Sequence, residues 1–381
     1  MVKKISHKQL ADLIGLYYNQ KDETGRKIPL SVVGNFGVGK SDIVREKARE
    51  IAHQQGKTFV EWNKITRKQK DTIFSDPSKF FILIDLRLSE CDSSDIKGLP
   101  DFKDGTCVEW KIPFWAKVLE HPDSDGILFF DEISLAPSLV ISSCYKVIHD
   151  RVVNESKIND NWLIMAAGNK DEDRAYTHDL AQPLRDRMGE VELQSPGPDS
   201  WTEWAIKHGI NSDIIAYINW KPSSLRLVDY ESEQKQTTAR GWQRLNTLIK
   251  DIPAADLKTL ELVAGSAIGE GIAKEFVGFV KLKNNINLDM LIKSPKMLQD
   301  IQDIGLKYFI VSALAEKYKE NKLTFERIFK ISEALETSPE FIALFWKLCS
   351  KYNKKQFKED WLSKELDHPL RNKFYKYLKE D

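Results

Sequence analysis

Five short stretches of this sequence carry residues whose types and spacing suit work on a phosphate chain. "GNFGVGKS" has the spacing Gly-x-x-x-x-Gly-Lys-Ser, running from Gly34 through Asn35, Phe36, Gly37, Val38, Gly39 and Lys40 to Ser41. In that arrangement glycines let backbone N–H groups turn toward phosphates, Lys40 reaches the β- and γ-phosphates, and the Ser41 hydroxyl coordinates Mg2+. "GILFFDEIS" offers adjacent carboxylates at the end of an apolar run, Asp131 to hold Mg2+ through water and Glu132 to polarise an attacking water. "WLIMAAGN" ends in Asn169, an amide placed to orient that water. "PLRDRMG" supplies Arg185 and Arg187, either suited to stabilising charge on a transferring phosphoryl group. "TTARGWQ" sets Arg240 at the start of a helical segment, from which it could couple the position of a second domain to the phosphate state.

The elements around these residues must hold them in register. "IPLSVV", "FFILIDL", "GILFFDE", "WLIMAAG" and "EVELQ" are continuous apolar runs rather than alternating ones, which predicts strands covered on both faces. The expected fold class is therefore α/β, with a five-stranded parallel sheet flanked by helices. The glycine motif lies between the first run and the helical "SDIVREKAREIA", so a helix N-terminus would point at the phosphates. Asp131, at the C-terminal end of its strand, is expected to lie beside this loop. Ile5 to Tyr18 has helical apolar spacing, and "NQKDETGRK" after it is a loop. Beyond "QSPGPD" the pattern turns to amphipathic helices: Trp201, Trp204 and Ala205 share one face, and Trp242, Leu245, Leu248 and Ile249 another. The expected domains are an α/β core over 1–195, a helical lid over 196–284 and a helical C-terminal region over 285–381.

Composition narrows the function classes. Lys plus Arg and Asp plus Glu each total 57, so no global field recruits nucleic acid or an anionic membrane. Cys91, Cys107, Cys144 and Cys349 are scattered without metal-ligand spacing and read as reduced packing residues. No uninterrupted apolar run spans a membrane and the N-terminus has no apolar signal region, so a cytoplasmic location is expected. The segment holding Phe102, Trp110, Phe114 and Trp115 suits either contact with a partner or packing over the sheet, and packing is the preferred expectation.

The order of the glycine motif, "FFDE", "AAGN", "LRDRM" and "TARGW" resembles the AAA+ ATPases, most closely their MoxR-like, dynein-related clade. "DLRLSECDSSDIKGLP" and "DRVVNESKINDNWLIMAAGN" are similar to further segments of that clade, and the resemblance runs from about Ile5 to Phe279. It implies ATP hydrolysis with Mg2+ held by Ser41 and Asp131, Glu132 as Walker B glutamate, Asn169 as sensor 1 and Arg240 as sensor 2. It further implies a homo-oligomeric ring, usually hexameric, with Arg187 or Arg185 as a finger reaching the next subunit. Asn35 and Phe36 stand where the family commonly has prolines, and Met188 where it has Phe. A protein partner is expected, plausible candidates including one with a von Willebrand A-type domain. A nucleic-acid-directed motor is the alternative, disfavoured by the balanced charge and the lack of a basic aromatic stripe. A non-hydrolysing nucleotide switch is a third reading, against which Glu132 and Asn169 stand.

Overall fold

The computed structural model describes residues 2–102, 105, 108–169, 182–228, 236–253, 255–282 and 286–362. The chain divides into two compact units, Met1–Ser195 and Pro196–Asp381. The first is built on a seven-stranded sheet, every paired strand running parallel. In chain order its strands are β1 (Lys3–Ile5), β2 (Leu30–Gly34), β3 (Thr58–Glu61), β4 (Phe80–Arg87), β5 (Gly126–Asp131), β6 (Trp162–Gly168) and β7 (Gly189–Leu193). Across the sheet they lie in the order β1-β7-β2-β6-β5-β4-β3.

The five apolar runs are β2, β4, β5, β6 and β7, and their continuity has the expected cause. Phe81, Leu83, Ile127, Phe129, Leu163 and Met165 enter one core with helices α1 (His7–Asn19) and α2 (Lys40–Gln54). Their neighbours Ile82, Ile84, Leu128, Phe130, Ile164 and Ala166 enter the opposite core. Successive side chains leave opposite faces of a strand, so a strand buried on both sides needs apolar residues throughout. Two edge strands add to the expected five. Ile5 belongs to β1 and not to the helix, because Ser6 caps α1: its Oγ accepts from the Gln9 N–H at 3.3 Å while Gln9 Oε1 accepts from the Ser6 N–H at 2.9 Å.

The aromatic segment after β4 corrects an expectation in part. Phe114 packs against Trp62 and Phe74, with ring centroids 5.7 and 5.2 Å apart, and Trp115 is buried. Phe102 and Trp110 instead lie on the hairpin Leu99–Asp101/Glu109–Lys111 and are 67% and 40% exposed. Among the cysteines, Cys144 and Cys349 are buried packing residues, Cys91 is half-buried, and Cys107 lies outside the described residues.

The second unit is helical. One hydrophobic core runs from Trp201 in Pro198–Lys207 to Phe357 in Lys354–Leu362, passing through Phe309 and Leu314 of the helix Ile304–Lys319. Trp201 and Ala205 enter this core as expected, as do Trp242 and Leu245, but Leu248 is exposed. No helix among the described residues is long and apolar enough to cross a membrane.

Gly126 sets how closely β4 and β5 approach. A Cβ there would lie 1.9 Å from the Ile82 carbonyl oxygen and 2.8 Å from the Trp162 ring. Gly126→Ala is expected to destabilise the first unit by about 1–3 kcal/mol or more, the scale of overpacking a core. Gly278→Ala, where an added Cβ meets nothing within 4 Å, serves as the control. Equal thermal midpoints for the two variants would contradict the packing argument.

Candidate functional site

The glycine motif forms the turn between β2 and α2, and each glycine has its own reason. Gly37 and Gly39 take φ of 71° and 95°, the left-handed region that favours glycine. Gly34 has an ordinary φ, but a Cβ would come within 2.9 Å of the Leu193 carbonyl oxygen on β7. Gly39 is the N-cap of α2, and no side chain caps that end. The first N–H groups of a helix have no intrahelical partner and carry the positive end of its dipole, so this turn presents donors suited to phosphate.

Four residues from three motifs meet at the C-terminal edge of the sheet. Lys40, 9% exposed, donates from Nζ to the carbonyl oxygens of Gly34 at 2.6 Å and Asn35 at 3.1 Å. It also donates to Asn169 Oδ1 at 2.9 Å. Ser41 Oγ donates to Asp131 Oδ2 at 2.6 Å. β5, which ends at Asp131, does not pair with β2, because β6 lies between them, yet Ser41 still reaches Asp131. Gly168 pairs with Val33, so Asn169 follows at the level of Gly34, between the glycine loop and the two carboxylates. Ser134 fixes its backbone by accepting from the Asn169 N–H at 2.8 Å.

Glu132 occupies a strained bend with φ 57° and ψ 33°. Non-glycine residues seldom adopt this conformation, and strain of this kind costs roughly 1–3 kcal/mol. Its N–H donates to Asp131 Oδ1 at 2.9 Å, which turns the chain sharply after β5. Its carboxylate accepts a short hydrogen bond from the Ser89 hydroxyl, just beyond β4. No local pattern marks Ser89, whose contact with Glu132 follows from β4 lying next to β5.

A divalent cation suits the donors gathered here. Ser41 and Asp131 supply the hard oxygen ligands that Mg2+ takes, in the small number it uses when waters and phosphates complete its shell. Nearby Asp85 is pushed up to about 6, first by burial and then by the Asp131 charge. Its Oδ1 is buried with no hydrogen-bond partner, and the Arg45 guanidinium stands 3.5 Å from Oδ2. The local excess of carboxylate is the kind that a cation relieves.

His7, in the first turn of α1, also escaped the sequence reading. Its Nε2 lies 2.7 Å from the Val38 carbonyl oxygen inside the glycine loop. Burial lowers its pKa from 6.5, outweighing the raising effects of Val38 and Glu46. The neutral ring therefore donates from Nε2 to Val38 and tethers α1 to the loop.

The arginines separate by position. Arg185 Nη2 is 2.8 Å from Glu190 Oε2 and Nε is 3.2 Å from the same oxygen. Arg187 is exposed, and its guanidinium forms no ion pair with a described carboxylate. It precedes Gly189, which pairs with Leu30 where β2 begins, whereas the glycine loop starts where β2 ends. At about 3.3 Å per residue, roughly 13 Å of strand separates those two ends. Arg187 thus stands at the opposite edge of the sheet from Lys40. Arg240 belongs to the second unit, exposed in the first turn of Ala239–Leu248, a helix capped by Thr238.

No family model and no curated protein matches the chain. Among solved structures it is similar to Cdc6p from Pyrobaculum aerophilum, at 12% identity over 98% of this chain and 83% of that one, with a TM-score of 0.40. It is also similar to the Aeropyrum pernix ORC2 protein of the ADPNP–ADP complexes, at 11% identity over 91% of this chain and 85% of that one, with a TM-score of 0.40. AMPPCP-bound DnaA from Aquifex aeolicus is a further match, at 11% identity over 93% of this chain and 90% of that one, with a TM-score of 0.36. At such identities and scores these likenesses carry no argument about activity, which has to come from the residues themselves.

Two outcomes follow from the buttressing contacts. Unfolded His7 takes up a proton as pH falls through 6.5, while the folded ring resists it, so the folded chain loses stability as pH drops below that value. Thermal stability should fall more steeply below pH 6.5 in the native chain than in His7→Gln, and parallel profiles would remove His7 from this role. Ser89→Ala should alter turnover while leaving nucleotide affinity within about twofold, because the Ser89 hydroxyl donates to Glu132 and a hydrogen bond to a charged group is worth about 1.5–3 kcal/mol.

Proposed function

We propose that this protein is an ATPase of the AAA+ type, similar to the MoxR-like clade, which hydrolyses ATP in a homo-oligomeric ring and acts on a protein partner. The observation that carries the reading is the joint contact of Lys40 with Asn169 and of Ser41 with Asp131 around an uncapped helix end. Four residues from three separate motifs, each assigned a part in phosphoryl transfer to water in this reading, converge at one edge of the sheet.

In this reading the triphosphate lies along the glycine loop and the N-terminus of α2. Lys40 is redirected from the Gly34 and Asn35 carbonyls toward the β- and γ-phosphates. Bound Mg2+, held from Ser41 and through water from Asp131, would neutralise charge on those phosphates. Glu132 leaves Ser89 and accepts a proton from the attacking water, and the Asn169 amide orients that water toward the γ-phosphorus. Arg187 meets the γ-phosphate of an adjoining chain, since the sheet holds it away from its own. Arg240, in the second unit, is assigned to sensing the phosphate state.

The partner is assigned as a protein because of the hairpin before Phe114. Leu99, Phe102, Val108 and Trp110 are all exposed there, whereas exposed apolar side chains ordinarily occur singly. A von Willebrand A-type domain remains the candidate partner, a hexamer the candidate assembly and the cytoplasm the candidate location.

Glu132→Gln should keep ATP affinity within a few-fold while turnover falls by about 10²–10⁴, the range for a general base. Lys40→Ala should lose binding itself. Equilibrium binding of a fluorescent ATP analogue beside phosphate release separates the two, and undiminished turnover in Glu132→Gln would overturn the assignment.

A further inference from the structure

At the edge of the sheet opposite the glycine loop, a cavity of about 220 Å3 opens between the loop after α1, the end of the helix Ser138–His149 and the turn before β7. Arg26, Lys27, Arg151, Arg187 and His149 line it, and Asp22 is the one acid among its lining residues. His149 is paired with Asp150, and the charge of the remaining basic residues is incompletely matched. Asp22 Oδ1 is occupied within its own turn, accepting from the Thr24 N–H and hydroxyl and from the Arg26 N–H at 2.6–3.0 Å. Asp160 Oδ1, itself buried without a hydrogen-bond partner, lies 3.9 Å from Arg26 Nε and 3.8 Å from Arg151 Nε, both beyond hydrogen-bond distance.

Arg151 is 2% exposed and sits in the left-handed region at φ 55°. It donates from Nη2 to the carbonyl oxygens of Asn159 and Trp162 at 2.9 and 2.8 Å, yet its Nε is buried without a hydrogen-bond partner. Lys27, 5% exposed, has Nζ 3.3 Å from the centre of the Tyr18 ring. The nearest opposing charge on it is Asp125, whose carboxylate is already held by Tyr18 at 2.6 Å and Lys57 at 2.8 Å. Burial, with Lys21, Arg151 and Lys57 nearby, pushes Lys27 down to about 7. Cations gathered around a polar void with unspent donors destabilise one another unless an anion joins them.

The geometry points to a second phosphate site in this cavity, in which Arg26, Lys27 and Arg151 together with Arg187 bind a phosphate group. The group has two conceivable sources, free phosphate or pyrophosphate in solution, or the terminal phosphate of a nucleotide held by an adjoining chain. The second source rests on the ring ATPase reading; the first does not.

The test uses the full chain carrying Lys40→Ala, which silences the glycine loop, with pyrophosphate as probe and calorimetric titration as readout. For a solution anion, one pyrophosphate binds per chain, and Arg26→Gln weakens it by roughly 10- to 100-fold, the worth of one charge-assisted hydrogen bond. Lys27→Met is the second variant, and thermal unfolding without the anion checks that both fold. For a neighbour's nucleotide, pyrophosphate does not bind, while Arg26→Gln in the otherwise native chain lowers ATP turnover at unchanged nucleotide affinity. If neither pyrophosphate binding nor turnover depends on Arg26 and Lys27, the proposal is overturned. A native chain without ATPase activity refutes the ring reading, and pyrophosphate titration alone then decides whether the cavity is a phosphate site.

Discussion

The insertion of β6 between β2 and β5 is the constraint on which the rest of the site depends. β2 delivers the glycine loop and β5 delivers Asp131 and Glu132, and direct pairing of those strands would leave no position between them. With β6 in the middle, Asn169 arrives level with Gly34, and its amide oxygen accepts from Lys40. Ser41, one residue into α2, spans to Asp131. Gly126 lets β5 approach β4 closely, and the same proximity brings Ser89 to the Glu132 carboxylate. Packing within the sheet thereby sets the geometry of the chemistry.

A parallel sheet also has two unlike ends. The C-terminal ends of its strands gather the loop, both carboxylates and the amide. The N-terminal ends of β2 and β7 gather Arg26, Lys27 and Arg187, with Arg151 beneath them. One end supplies a helix N-terminus and oxygen ligands for a cation; the other supplies guanidinium groups. Under the ring proposal, this polarity is what would let the cationic end of one copy face the oxygen-ligand end of the next.

How much of this was legible in the sequence depended on where the information resides. The five central strands could be read because burial on both faces makes them continuously apolar. β1 and β3 could not: Lys3–Ile5 is too short and too polar to register, and Thr58–Glu61 is partly exposed on the sheet edge. Lys40, Ser41, Asp131, Glu132 and Asn169 lie in local patterns and were found from them. Ser89, His7 and Asp85 act through cross-strand or cross-helix proximity, which no local spacing encodes. The cationic cavity likewise joins residues from three distant segments, each unremarkable alone. Phe102 and Trp110 were expected to pack because aromatic residues usually do; their hairpin extends beyond the core instead.

The central claim is that the phosphate site of one chain is completed by Arg187 of another, and complementation of two defective chains tests it most directly. Arg187→Ala retains a nucleotide site without its finger, and Lys40→Ala retains the finger without a nucleotide site. Phosphate release is measured for each alone and for an equimolar mixture. The account predicts turnover in the mixture well above the sum of the separate chains, because an arginine is worth about 10³–10⁵ in such reactions. Turnover no greater than that sum, with co-assembly of the two chains verified, would contradict it.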